Sequence, residues 1–172
     1  DNVAEPALDW ELSPGMNILI GENDAGKTAI VDAVRQVLWT TSYETVRLHE
    51  IDFHISKCSR AESLFIEATL VDLSPDQEAA VLEWLTYESD GSRSLILHLR
   101  ARWVAARGKK RGRVEAPTRS GRDGTGPEIG SAVRDLVRST YLRPLRDAEA
   151  ELRPGRYSRL SQILGAHKSI EG

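Results

Sequence analysis

Cysteine is almost missing from this sequence. Cys58 stands alone, so no disulfide can close within the chain and no cysteine-built zinc site can form, a pattern that suits a reducing compartment. Long apolar runs are missing as well: none approaches the roughly 20 residues that a membrane-spanning helix needs, and the first residues carry no signal-peptide pattern. A cytoplasmic protein without membrane contact is expected. Excess charge of one sign is the third absence. A net charge of -3 over 172 residues, with a pI near 5.9, argues against coating of nucleic acid by bulk charge, so any such contact must be regional. No internal repeat recurs at a fixed period. The chain opens at Asp1 without an initiator methionine and runs out in "HKSIEG", which leads us to expect a piece of a longer polypeptide.

What is present is ordinary globular material: 40% of the residues are hydrophobic, enough for one core or one core with an appended lobe. "ALDWELSPGMNILIG" reads as two adjacent strands, with Leu8, Trp10 and Leu12 alternating with polar residues before a Ser-Pro-Gly turn and the apolar run Ile18 to Ile20. "KTAIVDAVRQVLW" sets Ile30, Ala33, Val34, Val37 and Leu38 at helical spacing and predicts an amphipathic helix. The polar, irregular "RLHEIDFHISKCSRAE" precedes "SLFIEATLVDLS", whose alternation predicts a strand. "SPDQEAAVLEWLTYE" predicts a short helix with a Ser cap and Pro at its first position, and "SRSLILHLRARWVA" another extended segment.

From Arg107 to Pro127 there is almost nothing to bury, which predicts a mobile loop or hairpin tip. Then "PEIGSAVRDLVRSTYLRPLRDAEAEL" predicts a helix ending near Ser139 and a short strand at "TYLRPL", and "RYSRLSQILGA" the start of a further helix. Trp10, Trp39, Trp84 and Tyr141 fall on apolar faces and are expected in the core, whereas His98 and His167 stand alone without an assigned role.

Chemistry concentrates in "MNILIGENDAGKTAIVDAV". Gly21, Glu22, Asn23, Asp24, Ala25, Gly26, Lys27 and Thr28 match the eight-residue phosphate loop without a mismatch, between an apolar run and an amphipathic helix. The two glycines let the backbone turn its N–H groups inward, and the helix N-terminus, through Ala29, adds positive partial charge. Lys27 is expected to reach the β- and γ-phosphates of ATP and the Thr28 hydroxyl to complete a Mg²⁺ shell.

No Asn-Lys-x-Asp segment is present to read guanine. The second, Mg²⁺-holding carboxylate of motor and ABC-like ATPases has one candidate, Asp72 in "EATLVDLS", but no second acid follows it and its strand alternates. Asp72 therefore reads as the end of an antiparallel strand, and the catalytic residues are expected to lie outside this chain.

Three patches narrow the family: "GENDAGKT", "RLHEIDFH" at Arg47 to His54, and "TYLRPLRDAEAELRPGRYSRLSQIL" at Thr140 to Leu164. Together they resemble the OLD family of ATP-dependent nucleases, within the SMC/RecF-like ABC ATPases. The resemblance implies an α/β P-loop NTPase with a mixed sheet and an antiparallel β subdomain. Residues 1–155 would form the N-terminal half of the ATPase domain and 156–172 the start of a helical insert. It also implies ATP-driven dimerisation, to a homodimer or higher homo-oligomer, that regulates a Toprim nuclease acting on DNA, with the signature motif and second acidic motif later in the polypeptide. A RecF- or SMC-like clamp without nuclease activity shares these features and stays open as the alternative. One departure is clear: where such ATPases place a Gln, this sequence has Arg143, Arg146 and Asp147, which become candidates for nucleotide sensing.

The remaining groups allow two readings each. His49, Glu50, Asp52 and His54 have metal-ligand chemistry but equally suit a polar loop, and Asp52 and Phe53 are the residues there to mutate first. Arg100, Arg102, Arg107, Lys109, Lys110, Arg111, Arg113, Arg119 and Arg122, with Trp103 nearby, suit either contact with a DNA backbone or a solvated loop tip.

Overall fold

In the computed structural model, which describes residues 8–39, 47–55, 59–105, 112–139 and 141, the elements are α1 (Lys27–Val37), β1 (Ser63–Leu70), α2 (Pro75–Ala80), β2 (Leu85–Tyr87), β3 (Arg93–Val104), β4 (Arg113–Glu115), β5 (Thr118–Ser120) and α3 (Ser131–Leu136). β3 organises the rest. Its residues 94–99 are buried on both faces, with Leu95, Leu97 and Leu99 on one and Ile96 on the other, as a central strand requires. β1 runs antiparallel along one edge, from Ser63 opposite Arg102 to Leu70 opposite Leu95. The other edge is shared end to end by β2, β5 and β4, all antiparallel.

On the inner face, Leu95 and Leu97 join Val37 of α1, Val81, Ile129 and Val133 of α3 in the main core, with Ile66, Ala68 and Leu70 of β1 against it. Farther along, Leu99 and Ala101 pack with Phe53, flanked by Leu48, Leu64, Trp103 and Val114. Trp39 and Trp84 are half-buried against the main core as anticipated.

The cap read from "SPDQ" is present: the Ser74 hydroxyl accepts the Gln77 N–H at 3.3 Å and the Gln77 side chain accepts the Ser74 N–H at 2.8 Å. Ser74→Ala should cost about 1 kcal/mol, read as a lower urea midpoint with an unchanged slope. The helix is shorter than its pattern suggests. It stops at Ala80, and a 3₁₀ turn at Leu82–Trp84 leads into β2, because the Trp84 indole N–H reaches the Glu128 carbonyl at 2.9 Å and "LTY" pairs with the start of β3. The following turn is held by the Asp90 carboxylate, which accepts the Ser92 N–H at 2.8 Å. Hydrogen bonds from the Ser92 side chain and backbone hold the Asp90 carboxyl below its ordinary value. That contribution is complete above the ordinary carboxylate range and fades as pH falls through the lowered value.

Two expectations need revision. The segment from Arg107 to Pro127 is more than a loop or hairpin tip: beyond residues 106–111, which lie outside the described set, it forms β4, paired with the end of β3, and β5, and buries Thr118 and Ser120. Composition misleads here because the contribution is made by backbone. The open edge of β3 needs partners, and Arg100 N–H donates to the Pro117 carbonyl while Ser120 N–H donates to that of Pro127. Close packing at Gly126 follows, since a Cβ there would lie 2.7 Å from the Ser120 carbonyl oxygen. Gly126→Ala should cost roughly 1–3 kcal/mol, visible as a lowered melting temperature.

The two strands expected before the phosphate loop are also absent. Residues 8–26 form no strand, although Asn17 does close the Ser-Pro-Gly turn by bonding both the N–H and the carbonyl of Ser13, at 3.0 and 2.8 Å. Trp10 is 39% exposed instead of buried, and Ile18 and Ile20 are 70% and 90% exposed. An alternating segment becomes a strand only beside a partner, and among the described residues no strand pairs with residues 8–26. α3 ends at Leu136, close to the boundary anticipated, and Ser139 N–H donates to the Trp39 carbonyl at 2.8 Å. The strand expected at "TYLRPL", apart from Tyr141, and the 155/156 boundary lie outside the described residues.

Candidate nucleotide site

The loop Gly21–Gly26 enters α1 through a left-handed residue. Gly26 has φ 82° and ψ 4°, a conformation that costs a side-chain-bearing residue roughly 1–2 kcal/mol, and Asp24 shares positive φ at 63°. A turn from the Ala25 N–H to the Glu22 carbonyl, 3.3 Å, tightens the loop, and the first helical bond runs from Ile30 N–H to Gly26 carbonyl at 3.1 Å. The N–H groups of Lys27, Thr28 and Ala29 therefore point out of the helix end without a backbone acceptor or side-chain cap among the described residues.

Lys27 folds back over the loop. Its Nζ donates to the Gly21 carbonyl at 2.8 Å and to the Glu22 carbonyl, placing a cation over the loop that leads into α1. No acidic residue occupies the first turn of α1, so the positive end of the helix dipole is not neutralised locally. Gly21 to Gly26 and Thr28 are exposed and Lys27 half-buried, so an anion can reach them. This donor set suits phosphate oxygens, and the Thr28 hydroxyl suits a hard cation such as Mg²⁺. At the far end of α1, Arg35 bonds Asp32 at 2.9 Å and lies 3.9 Å from the Tyr141 ring centroid, fixing the helix against the chain's later part.

The other expected site residues scatter. Arg143, Arg146 and Asp147, like Arg107, Lys109, Lys110 and Arg111, lie outside the described residues. Arg113 is exposed on β4 and pairs with Glu115, which neutralises part of the expected basic stretch, and Arg122 pairs with Glu88 at 2.6 Å. Trp103 is not available to a nucleic acid through its inner face; it packs with Val114 and against Gly112.

Of the two readings open at His49 to His54, the geometry supports the polar loop. The Asp52 carboxylate accepts the His49 N–H at 2.6 Å as a turn cap, Glu50 pairs with Arg60, and Phe53, the next residue, turns into the core. Among the described residues no group of three His, Cys, Asp or Glu side chains is placed to hold a metal. Asp72 sits exposed at φ 55° in the turn after the antiparallel β1.

One residue set aside in the sequence has a defined place. His98 is buried, with Nδ1 2.9 Å from the Glu67 carboxylate, which also accepts the Asp123 N–H at 3.1 Å. Only the β1–β3 register, which puts Glu67 opposite His98, brings these residues together. No sequence-local signal foretells it.

A family model described as an AAA domain matches residues 7–118, a span that takes in the phosphate loop, α1 and β1 to β4. Neither curated proteins nor solved structures gave a match. Among the described residues no helix is long and apolar enough to cross a membrane.

Proposed function

The chain belongs to the AAA domain family, and on that premise we propose that it is the ATP-binding portion of an OLD-type ATP-dependent DNA endonuclease. The observation that carries the nucleotide part is Lys27 folded over the Gly21 and Glu22 carbonyls of a loop that ends in the open N–H groups of Lys27, Thr28 and Ala29. Lys27 and the N–H groups of Lys27, Thr28 and Ala29 hold the phosphates of ATP, and the Thr28 hydroxyl holds Mg²⁺. When bound, the metal offsets phosphate charge. Gly26, at its positive φ, turns the backbone into α1 so that the N–H groups of the first turn can act as donors.

Support for the OLD-type reading comes from "RLHEIDFH" and "TYLRPLRDAEAELRPGRYSRLSQIL" together with the loop. The acid that directs water and the signature motif come from other parts of the protein and from a second copy, so ATP closes two such units together and the closure controls DNA cleavage elsewhere. The experiment is a cleavage assay on the native polypeptide with linear and supercoiled DNA, with and without Mg-ATP. ATP-dependent cleavage lost in Lys27→Ala supports the reading. ATP turnover without cleavage points instead to a clamp. The present chain alone should hydrolyse ATP at a rate indistinguishable from that of Lys27→Ala.

A further inference from the structure

The sheet has a second face. Because side chains alternate across a strand, Leu95, Leu97, Leu99 and Ala101 face the core while Ile96, His98, Arg100 and Arg102 face the other way. The register sets Ser63, Phe65 and Glu67 of β1 directly beside Arg102, Arg100 and His98, and adds Arg119 and Glu115 from β5 and β4.

The acids on this face are already used. Glu67 bonds His98 and the Asp123 N–H, and Glu115 bonds Arg113. Arg119 is held by the carbonyls of Gly124 and Gly126 at 3.0 and 2.9 Å. Arg100 and Arg102 remain: both are exposed, and neither makes an ion pair among the described residues. As next-but-one residues of a strand they stand about 7 Å apart.

Beside them lies an aromatic ring. Phe65 is 36% exposed, and its ring stacks on His98 with centroids 5.6 Å apart and planes 11° from parallel. The Glu67 carboxylate fixes His98, so the Phe65 ring is backed by a pinned imidazole and held ready.

We propose that this outer face binds single-stranded nucleic acid, with Phe65 as the stacking platform and Arg100 and Arg102 as phosphate contacts. An aromatic face takes an unstacked base, which a duplex does not offer, and paired guanidiniums track the backbone. A protein partner fits less well, because among the described residues the neighbours of Phe65 on this face are Ser63, Glu67, His98, Arg100 and Arg102, all of them polar. The inference deepens the DNA part of the proposed function but does not use the phosphate loop, so Lys27→Ala should lose ATP binding and keep this one.

The test is fluorescence anisotropy of the full chain with fluorescein-labelled oligothymidine across a salt series, against a duplex of equal length. Replacing Arg100 and Arg102 together by Ala should weaken binding and flatten the plot of log affinity against log salt by about 1.4, at roughly 0.7 per phosphate. Phe65→Leu, which keeps an apolar side chain for the fold, should weaken binding about tenfold, and Phe65→Trp should retain it. Equal affinity for duplex, or full affinity in Phe65→Leu and in the Arg100, Arg102 pair, overturns the proposal. So does loss of binding only when Arg107, Lys109, Lys110 and Arg111 are replaced by Ala.

Discussion

Lys27→Ala should weaken Mg-ATP binding by about a hundredfold, read by isothermal titration, while leaving the melting temperature of the unliganded chain nearly unchanged. The magnitude follows from the bond type: a hydrogen bond between charged groups contributes about 1.5–3 kcal/mol, and each 1.4 kcal/mol is roughly a tenfold change in affinity. The stability part follows from geometry. Without ligand, the ammonium is engaged only by the Gly21 and Glu22 carbonyls of an exposed loop, groups that water can serve equally well. Lys27→Arg should lose most of the affinity too, because a planar fork does not replace a compact ammonium over this turn. Undiminished ATP binding by Lys27→Ala would remove the nucleotide site from the protein.

Phe53→Ala should have the largest effect on stability, about 3–5 kcal/mol, out of a net folding free energy of about 5–15 kcal/mol for a domain. Phe53 is 1% exposed and packs with Leu99 and Ala101 on the inner face of β3, far in sequence from both. Truncation leaves a cavity that β3, paired along both edges, cannot collapse to fill. Urea denaturation should show the midpoint falling sharply. Asp52→Ala removes only the cap on His49 and should cost about 1 kcal/mol. If Phe53→Ala kept full stability and lost ATP binding, the residue would belong to the nucleotide site and not to the core.

These cases mark what the sequence makes legible. α1, β1 and β3 could be read because their periodicity is local: "KTAIVDAVRQV" repeats at helical spacing and "SLFIEATL" alternates. Gly21 to Thr28 could be read as a candidate phosphate loop for the same reason, all its parts being contiguous. β4 and β5 were not, because polar residues enter the sheet through backbone bonds that composition does not record. The Glu67 and His98 pair depends on register, fixed only once two distant strands meet. Phe53 read as part of a polar loop because its burial is set by Leu99 and Ala101, not by its neighbours in sequence.

The unpaired segment before the phosphate loop has a kinetic consequence. Among the described residues no backbone hydrogen bond holds Met16 to Ile20, whereas from Ile30 onward the amides of α1 are bonded in helix. Amide exchange should therefore change by orders of magnitude across the loop, fast on its entry side and slow on its exit side. The phosphates would be gripped between a fixed post and a free cord. Anything that gives Ile18 and Ile20 a strand to lie against would tighten that grip from outside, without touching the nucleotide.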